Sequence, residues 1–141
     1  MPKRLQLYGT DAIEVTFDPN RCIHSANCIR QLPEVFDSRA RPWIRPAAAD
    51  AARIADVVSH CPTGALHARR LDGALAEQPA VPATITPVRN GPLYVRGEVQ
   101  VELEDGATVT RDLRIALCRC GKSGSQPFCD GTHREIGFVA P

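Results

Sequence analysis

The chain has 141 residues, 43% hydrophobic, 23% charged and only 5% aromatic, with a formal net charge of +1. That length holds one ordinary domain or two small ones, and small domains often need a metal, a disulfide or a partner to stay folded. A near-neutral charge excludes bulk electrostatic attraction to nucleic acid or to a membrane.

The opening MPKRLQLYGTDAIEV has two basic residues but no apolar core of the kind a leader carries. No apolar run reaches the ~20 residues of a membrane helix. A cytoplasmic chain is therefore expected, and in a reducing compartment clustered cysteines bind metal or do redox chemistry more often than they form disulfides. Ala12–Phe17, β-branched and weakly alternating, predicts a strand, and Asp18-Pro19-Asn20 a turn. A short helix is expected from about Ser25 to Leu32, stopped by Pro33, with Trp43-Ile44 a short extended piece. Apolar residues at 51, 54, 55 and 58 predict a helix over Ala47–Ser59, ended by Pro62 and Gly64, and Ala65–Leu71 returns as a strand. The run GALAEQPAVPA, Gly73–Ala83, has no sustained apolar pattern and reads as a linker between 1–72 and 84–141.

Beyond the linker the apolar residues are Leu93, Val95, Val99, Val101 and Leu103, then Val109, Leu113, Ile115 and Leu117, all at odd positions. Period-two alternation on both sides of Asp105-Gly106 predicts a hairpin. A two-residue loop would set the two apolar rows on opposite faces. A three-residue loop, Glu104-Asp105-Gly106 with Gly106 left-handed, keeps them together and pairs Val101 with Val109 and Gly97 with Leu113. The expected fold class is α+β.

Each half has three of the six cysteines. In the second half, CRCGKSGSQPFCDGTH sets Cys118, Cys120, Cys129 and His133 in a C-x-C-x8-C-x3-H pattern. Thiolates and imidazole suit zinc, iron and iron–sulfur clusters, whereas hard cations want oxygen. Pro127 and the four glycines between 121 and 137 predict a loop shaped around something. The run resembles the CDGSH (NEET) iron–sulfur family, as does NGPLYVRGEV (Asn90–Val99), and the resemblance covers roughly Thr84–Phe138. Thr132 stands where the family has its serine, and Gln126 where many members have lysine; neither is a ligand position. The resemblance implies a 2Fe–2S cluster, Cys118 and Cys120 on the inner iron, Cys129 and His133 on the outer one. Exchanging a thiolate for imidazole raises the potential, and a protonatable ligand links cluster retention to pH. The plainer alternative is a Cys3His zinc site, although C-x-C is tighter than the usual zinc spacing.

In the first half, RCIHSANCIRQLPEVFD and HCPTGAL carry Cys22, Cys28 and Cys61-Pro62. These runs resemble single-cluster bacterial ferredoxins, including a divergent group fused to CDGSH modules, over about Ala12–Arg70. Against the ferredoxin run C-x2-C-x2-C-x3-C-P, Ser25 falls on the second ligand position, Cys28 on the third and Leu32-Pro33 on the Cys-Pro. Cys61-Pro62 then closes the site. Three thiolates leave one corner of a cubane without a cysteine. The resemblance thus implies either a 3Fe–4S cluster or a 4Fe–4S cluster with a non-cysteine fourth ligand, for which Ser25, His24 and solvent are candidates. His60 beside Cys61 reads more readily as a solvated histidine, and His67 as a strand residue. The plain alternative for the three cysteines is buried small hydrophobes.

Arg119 and Lys122 either offset cluster charge, meet an acidic redox partner, or are simply solvated. Leu32–Phe36 and Trp43 are either a partner-docking patch or core. No phosphate loop, nucleophile elbow or paired carboxylates suggest a substrate-converting site. The expected protein is a ferredoxin-like domain followed by a small, mostly β CDGSH domain, transferring electrons between redox partner proteins. Its alternatives are a redox, iron or pH sensor or cluster donor, and a zinc-stabilised interaction module. With a single CDGSH module, either the chain forms a homodimer or its upstream half fills the partner's place.

Overall fold

The computed structural model describes residues 3–141; Met1 and Pro2, part of the stretch read for a leader, lie outside it. The chain divides into two units. The first comprises the residues through Asn20, His24–Cys61 and Ala65–Glu77. The second comprises Arg21–Ile23, Pro62–Gly64 and Gln78–Pro141. Helices accompany two three-stranded antiparallel sheets, an α+β architecture. Among the described residues no helix is long and apolar enough to cross a membrane.

In the first unit, strands β1 (Gln6–Gly9), β2 (Ile13–Phe17) and β3 (Leu66–Arg70) lie in the order β1-β2-β3. Ile13, Val15 and Phe17 point into the core, as the alternation of β2 requires. β1 was not anticipated: it is a four-residue edge strand whose Leu7 is exposed, held by pairing from Gln6↔Phe17 to Gly9↔Glu14. Helix α1 is shorter than expected, Asn27–Gln31, because His24 and Ala26 take left-handed backbone conformations just before it. Helix α2 also starts later, at Ala51, since Pro46–Ala48 forms a separate 3-10 turn and Asp50 caps the helix in an extended conformation. It runs to Ser59 and buries Ile54, Val57 and Val58 on one face. Leu32, Val35 and Phe36 are core residues, and Trp43 packs edge-on to Phe17 at 4.9 Å and near Phe36 at 6.0 Å. LPEVF is therefore core and not a docking patch, with Ile44 bridging Phe36 in the expected short extended piece.

In the second unit, β4 (Thr84–Pro87), β5 (Leu93–Glu102) and β6 (Thr108–Leu117) lie in the order β4-β5-β6. β4 was missed because all four of its residues are exposed. The β5–β6 loop is the expected one: Leu103 N donates to Ala107 O and Gly106 N to Leu103 O, both at 2.8 Å, and Gly106 has φ 91°. The two expected pairs do not form. Leu93↔Leu117 and Val95↔Ile115 follow the parity, but register shifts fall between Arg96 and Val99 and between Val101 and Glu102, so Val101 faces Thr110. Parity cannot reveal an extra residue in one strand. The first shift passes through Gly97, at φ 138°, where a Cβ would stand 2.6 Å from the Ala83 Cβ.

Gly97→Ala is therefore expected to destabilise the chain by about 1–3 kcal/mol through overpacking and backbone strain. Thermal unfolding followed by circular dichroism measures it; an unchanged midpoint would show that the close approach at Ala83 constrains nothing.

Candidate metal centre

The downstream site is built where β6 ends. Cys129 N donates to Ala116 O at 2.9 Å and Cys118 N to Pro127 O at 2.8 Å, while Phe128 bridges Leu117. The loop between folds back on itself: Phe128 N donates to Ser125 O, Ser123 Oγ to Phe128 O at 2.6 Å, and Gln126 Nε2 to Gly121 O. Next comes Asp130, whose Oδ1 accepts from Thr132 N (3.0 Å) and Thr132 Oγ1 (2.6 Å), and whose Oδ2 accepts from Gly124 N (2.8 Å). Gly131 takes the left-handed turn, φ 91°, into the short helix α3 (Thr132–Glu135), which carries His133. All four expected ligands line one pocket with Ser123 and Asp130.

Within it they stand as two pairs. Cys118 Sγ and Cys120 Sγ are 3.7 Å apart, and Cys129 Sγ and His133 Nδ1 are 3.4 Å apart. Two thiolates sharing one tetrahedral metal at bonds of about 2.3 Å stand about 3.8 Å apart, and a thiolate and an imidazole about 3.6 Å. Each pair thus fits a metal ion of its own. Among the described residues no three His, Cys, Asp or Glu side chains gather tightly enough to hold one ion together.

The upstream cysteines fall on different parts of the fold. Cys28 is on α1, Cys61 follows α2 after the capping residue His60, and Cys22 lies in the Arg21–Ile23 segment of the second unit. All three are half-buried. Ser25, one candidate with His24 and solvent for the missing ligand, sits between His24 at φ 58° and Ala26 at φ 64°. His60 is exposed at the end of α2, and His67 lies on β3, as expected of a strand residue.

Residues 8–71 match the family described as divergent 4Fe-4S mono-cluster, and residues 90–134 match the iron-binding zinc finger of CDGSH type. The protein named "Uncharacterized protein YjdI" from Escherichia coli (strain K12) is 39% identical over 62 residues, 44% of this chain and 82% of the relative; its counterpart in Escherichia coli O157:H7 matches equally. The chain belongs to both families. It is an iron–sulfur protein with a mono-cluster domain followed by a CDGSH domain.

The CDGSH domain's departures from its family's pattern are accommodated by the geometry. Thr132 keeps the hydroxyl that donates to Asp130, and Gln126 ties the loop to Gly121. Burial alone would raise the Cys118 thiol, but the N–H groups of Ser123, Gly121 and Lys122, together with the Cys120 side chain, bring it below its ordinary value. This favours the thiolate, the ligating form. Gly121 N lies 3.3 Å from Cys118 Sγ and Lys122 N 3.4 Å from Cys120 Sγ. Cys129 goes the other way: burial pushes it up, Cys118 and Asp130 add to that, and Gly131 N–H opposes. Burial and the neighbouring Arg134 lower the His133 pKa, which keeps the imidazole neutral over a wider pH range.

Arg119, between Cys118 and Cys120, is half-buried and tied to backbone carbonyls. It donates to the carbonyls of Gly91 (2.8 Å), Val88 (2.7 Å) and Pro141 (3.1 Å), with its guanidinium 5.6 Å from the centre of the Phe138 ring. Sequence alone carries no sign of that role, because the acceptors are backbone atoms. Nor did it reveal Asp130 as the residue joining the loop to α3.

Asp130 makes a testable contribution. Burial raises its pKa, but the Thr132 hydroxyl and the backbone N–H groups of Gly124 and Thr132 outweigh it and bring it below the ordinary value. A carboxylate depressed in the folded state stabilises fully above its unfolded pKa and loses that contribution as pH falls through the folded one. Asp130→Ala is expected to cost the metal-free chain about 1 kcal/mol near neutral pH, allowing for solvent screening. The gap to wild type should narrow as pH falls below the ordinary carboxylate value of ~3.9. Thermal unfolding near neutral pH and at acid pH checks it, and an equal gap at both would refute the carboxylate's role.

Proposed function

We propose that this protein is an electron carrier with two unlike clusters. Cys118 and Cys120 would hold one iron of a 2Fe–2S centre, and Cys129 and His133 the other; Cys22, Cys28 and Cys61 would hold a cubane-type cluster. The observation that carries the reading is the paired spacing at 3.7 Å and 3.4 Å. A single zinc ion would draw all four donors to one point, whereas two irons bridged by sulfide take one pair each.

When bound, such clusters supply reversible one-electron chemistry. The chain's own contribution is to aim N–H groups at Cys118 and Cys120 and to keep His133 buried and neutral. For the mono-cluster site, the description of the matching family supports 4Fe–4S over 3Fe–4S, with a ligand other than cysteine at the Ser25 position. Redox partner proteins would supply and take the electrons.

Iron, zinc and acid-labile sulfide measured on anaerobically purified protein test the reading. About six irons with six sulfides per chain supports 4Fe–4S plus 2Fe–2S, and about five irons with six sulfides supports 3Fe–4S plus 2Fe–2S. Zinc without sulfide would sink the proposal. His133→Cys should lower the 2Fe–2S potential by on the order of 100 mV, because a thiolate adds negative charge at the outer iron. Redox titration followed by EPR measures this, and an unmoved potential would argue against histidine ligation.

A further inference from the structure

The second unit takes in two short pieces from far upstream, Arg21–Ile23 and Pro62–Gly64, which lie outside the residues matched as CDGSH. Arg21 is largely buried, with 11% of its side chain exposed, against Asp112 at 5%. Its Nη2 lies 2.8 Å from Asp112 Oδ2 and donates to the carbonyls of Thr63 at 2.7 Å and Arg114 at 3.0 Å. The guanidinium sits 5.1 Å from the centre of the Phe128 ring. Its Nε–H is buried without a hydrogen-bond partner. Taking a charge out of water is unfavourable unless pairing and hydrogen bonds offset it, and an orphaned donor adds to the cost. A guanidinium held here at that cost has a structural consequence to account for it.

The consequence lies one residue beyond Phe128. Cys129 is packed in a buried cluster with Ile23 and Ala116, flanked by Tyr94. The carbonyl of Ile23 in turn accepts a hydrogen bond from Arg134, next to His133. Arg21 thus bears on the residue before Cys129, while Ile23 bears on Cys129 itself and on the residue after His133. Gly64 shows how closely the guanidinium is enclosed: a Cβ there would stand 2.2 Å from Arg21 Nη2 and 2.3 Å from Arg114 O, at a φ of +73°.

We propose that Arg21 and Ile23 form a positioning strap that fixes the Cys129–His133 half of the CDGSH site. The inference deepens the metal-site reading above, but its first test needs no metal. Cys118 is held separately, by Pro127 O and by N–H groups of its own loop. It therefore serves, with Cys120, as an internal control.

In the reduced, metal-free full chain, alkylation of each cysteine is followed by mass spectrometry in wild type, Arg21→Gln, Ile23→Ala, Gly64→Ala and Arg21→Lys. Cys129, which is 3% exposed, should react about tenfold faster in the first three variants as the strap opens locally, while Cys118 and Cys120 stay within about twofold. Gly64→Ala displaces the guanidinium without altering it. Arg21→Lys keeps a cation near Asp112 and Phe128 and should restore part of the protection. Equal acceleration at all three cysteines, or none at Cys129, would overturn the proposal.

A second readout uses the iron–sulfur-loaded chain. The EPR g values of the reduced histidine-ligated centre should shift in Arg21→Gln with iron and sulfide content retained, and return toward wild type in Arg21→Lys; identical spectra would argue against the strap setting ligand geometry. Wild type lacking iron and sulfide would count against the electron-carrier reading alone, since the alkylation result stands without them.

Discussion

Two backbone hydrogen bonds decide whether the downstream site exists: Cys129 N to Ala116 O and Cys118 N to Pro127 O. They extend the edge of β6 by the width of one short segment, and so bring Cys118, Cys120, Cys129 and His133 into one pocket. Side chains alone could not do this cheaply, because ordering a loop of this length costs backbone entropy at every residue. The loop offsets that cost with internal contacts: Ser123 to Phe128, Gln126 to Gly121 and Asp130 to Gly124. The three cysteines and His133 thus sit on a framework that is itself hydrogen-bonded.

The same framework sets the electrostatics. N–H groups converge on Cys118, whereas Cys129 lies deeper, with carboxylate and thiol charge nearby. The two halves of one site are therefore unequal before any ligand arrives. Cys118 is biased toward the charged, ligating form, whereas Cys129 and His133 are both biased toward their neutral forms. Arg119 serves this arrangement from the other side. Its three carbonyl contacts hold Gly91 and the last residues of the chain against the loop, which leaves its charge committed to backbone.

Local chemistry was legible in the sequence and long-range support was not. The β2 alternation, the α2 face and the four-ligand spacing each repeat over a few residues, and hydrophobic period or ligand type reveals them directly. β1 and β4 escaped because an exposed edge strand needs no apolar row; its pairing partner makes it. The Val101–Val109 pairing failed at a register shift that alters no hydrophobic parity. Arg21 was invisible for a different reason. Its neighbours Thr63, Asp112, Arg114 and Phe128 come from three other stretches of sequence, and two of its acceptors are carbonyls, which every residue has.

The two cysteine-bearing loops meet the same geometric demand in opposite ways. In the CDGSH loop the left-handed positions are glycines, Gly121 and Gly131, which adopt that conformation without strain. Around Ser25 they are His24 and Ala26, for which left-handed backbone costs about 1–2 kcal/mol each. Such strain persists only where surrounding structure over-determines it, and it collects at functional sites. Part of that determination is visible: Arg30 Nη1 donates to Ser25 O at 3.0 Å, and its Nη2 reaches Asn27 Oδ1, locking the turn into α1. The CDGSH loop is shaped by what its glycines permit. The mono-cluster loop is held against the preferences of its own residues by the contacts that Arg30 makes to Ser25 and Asn27.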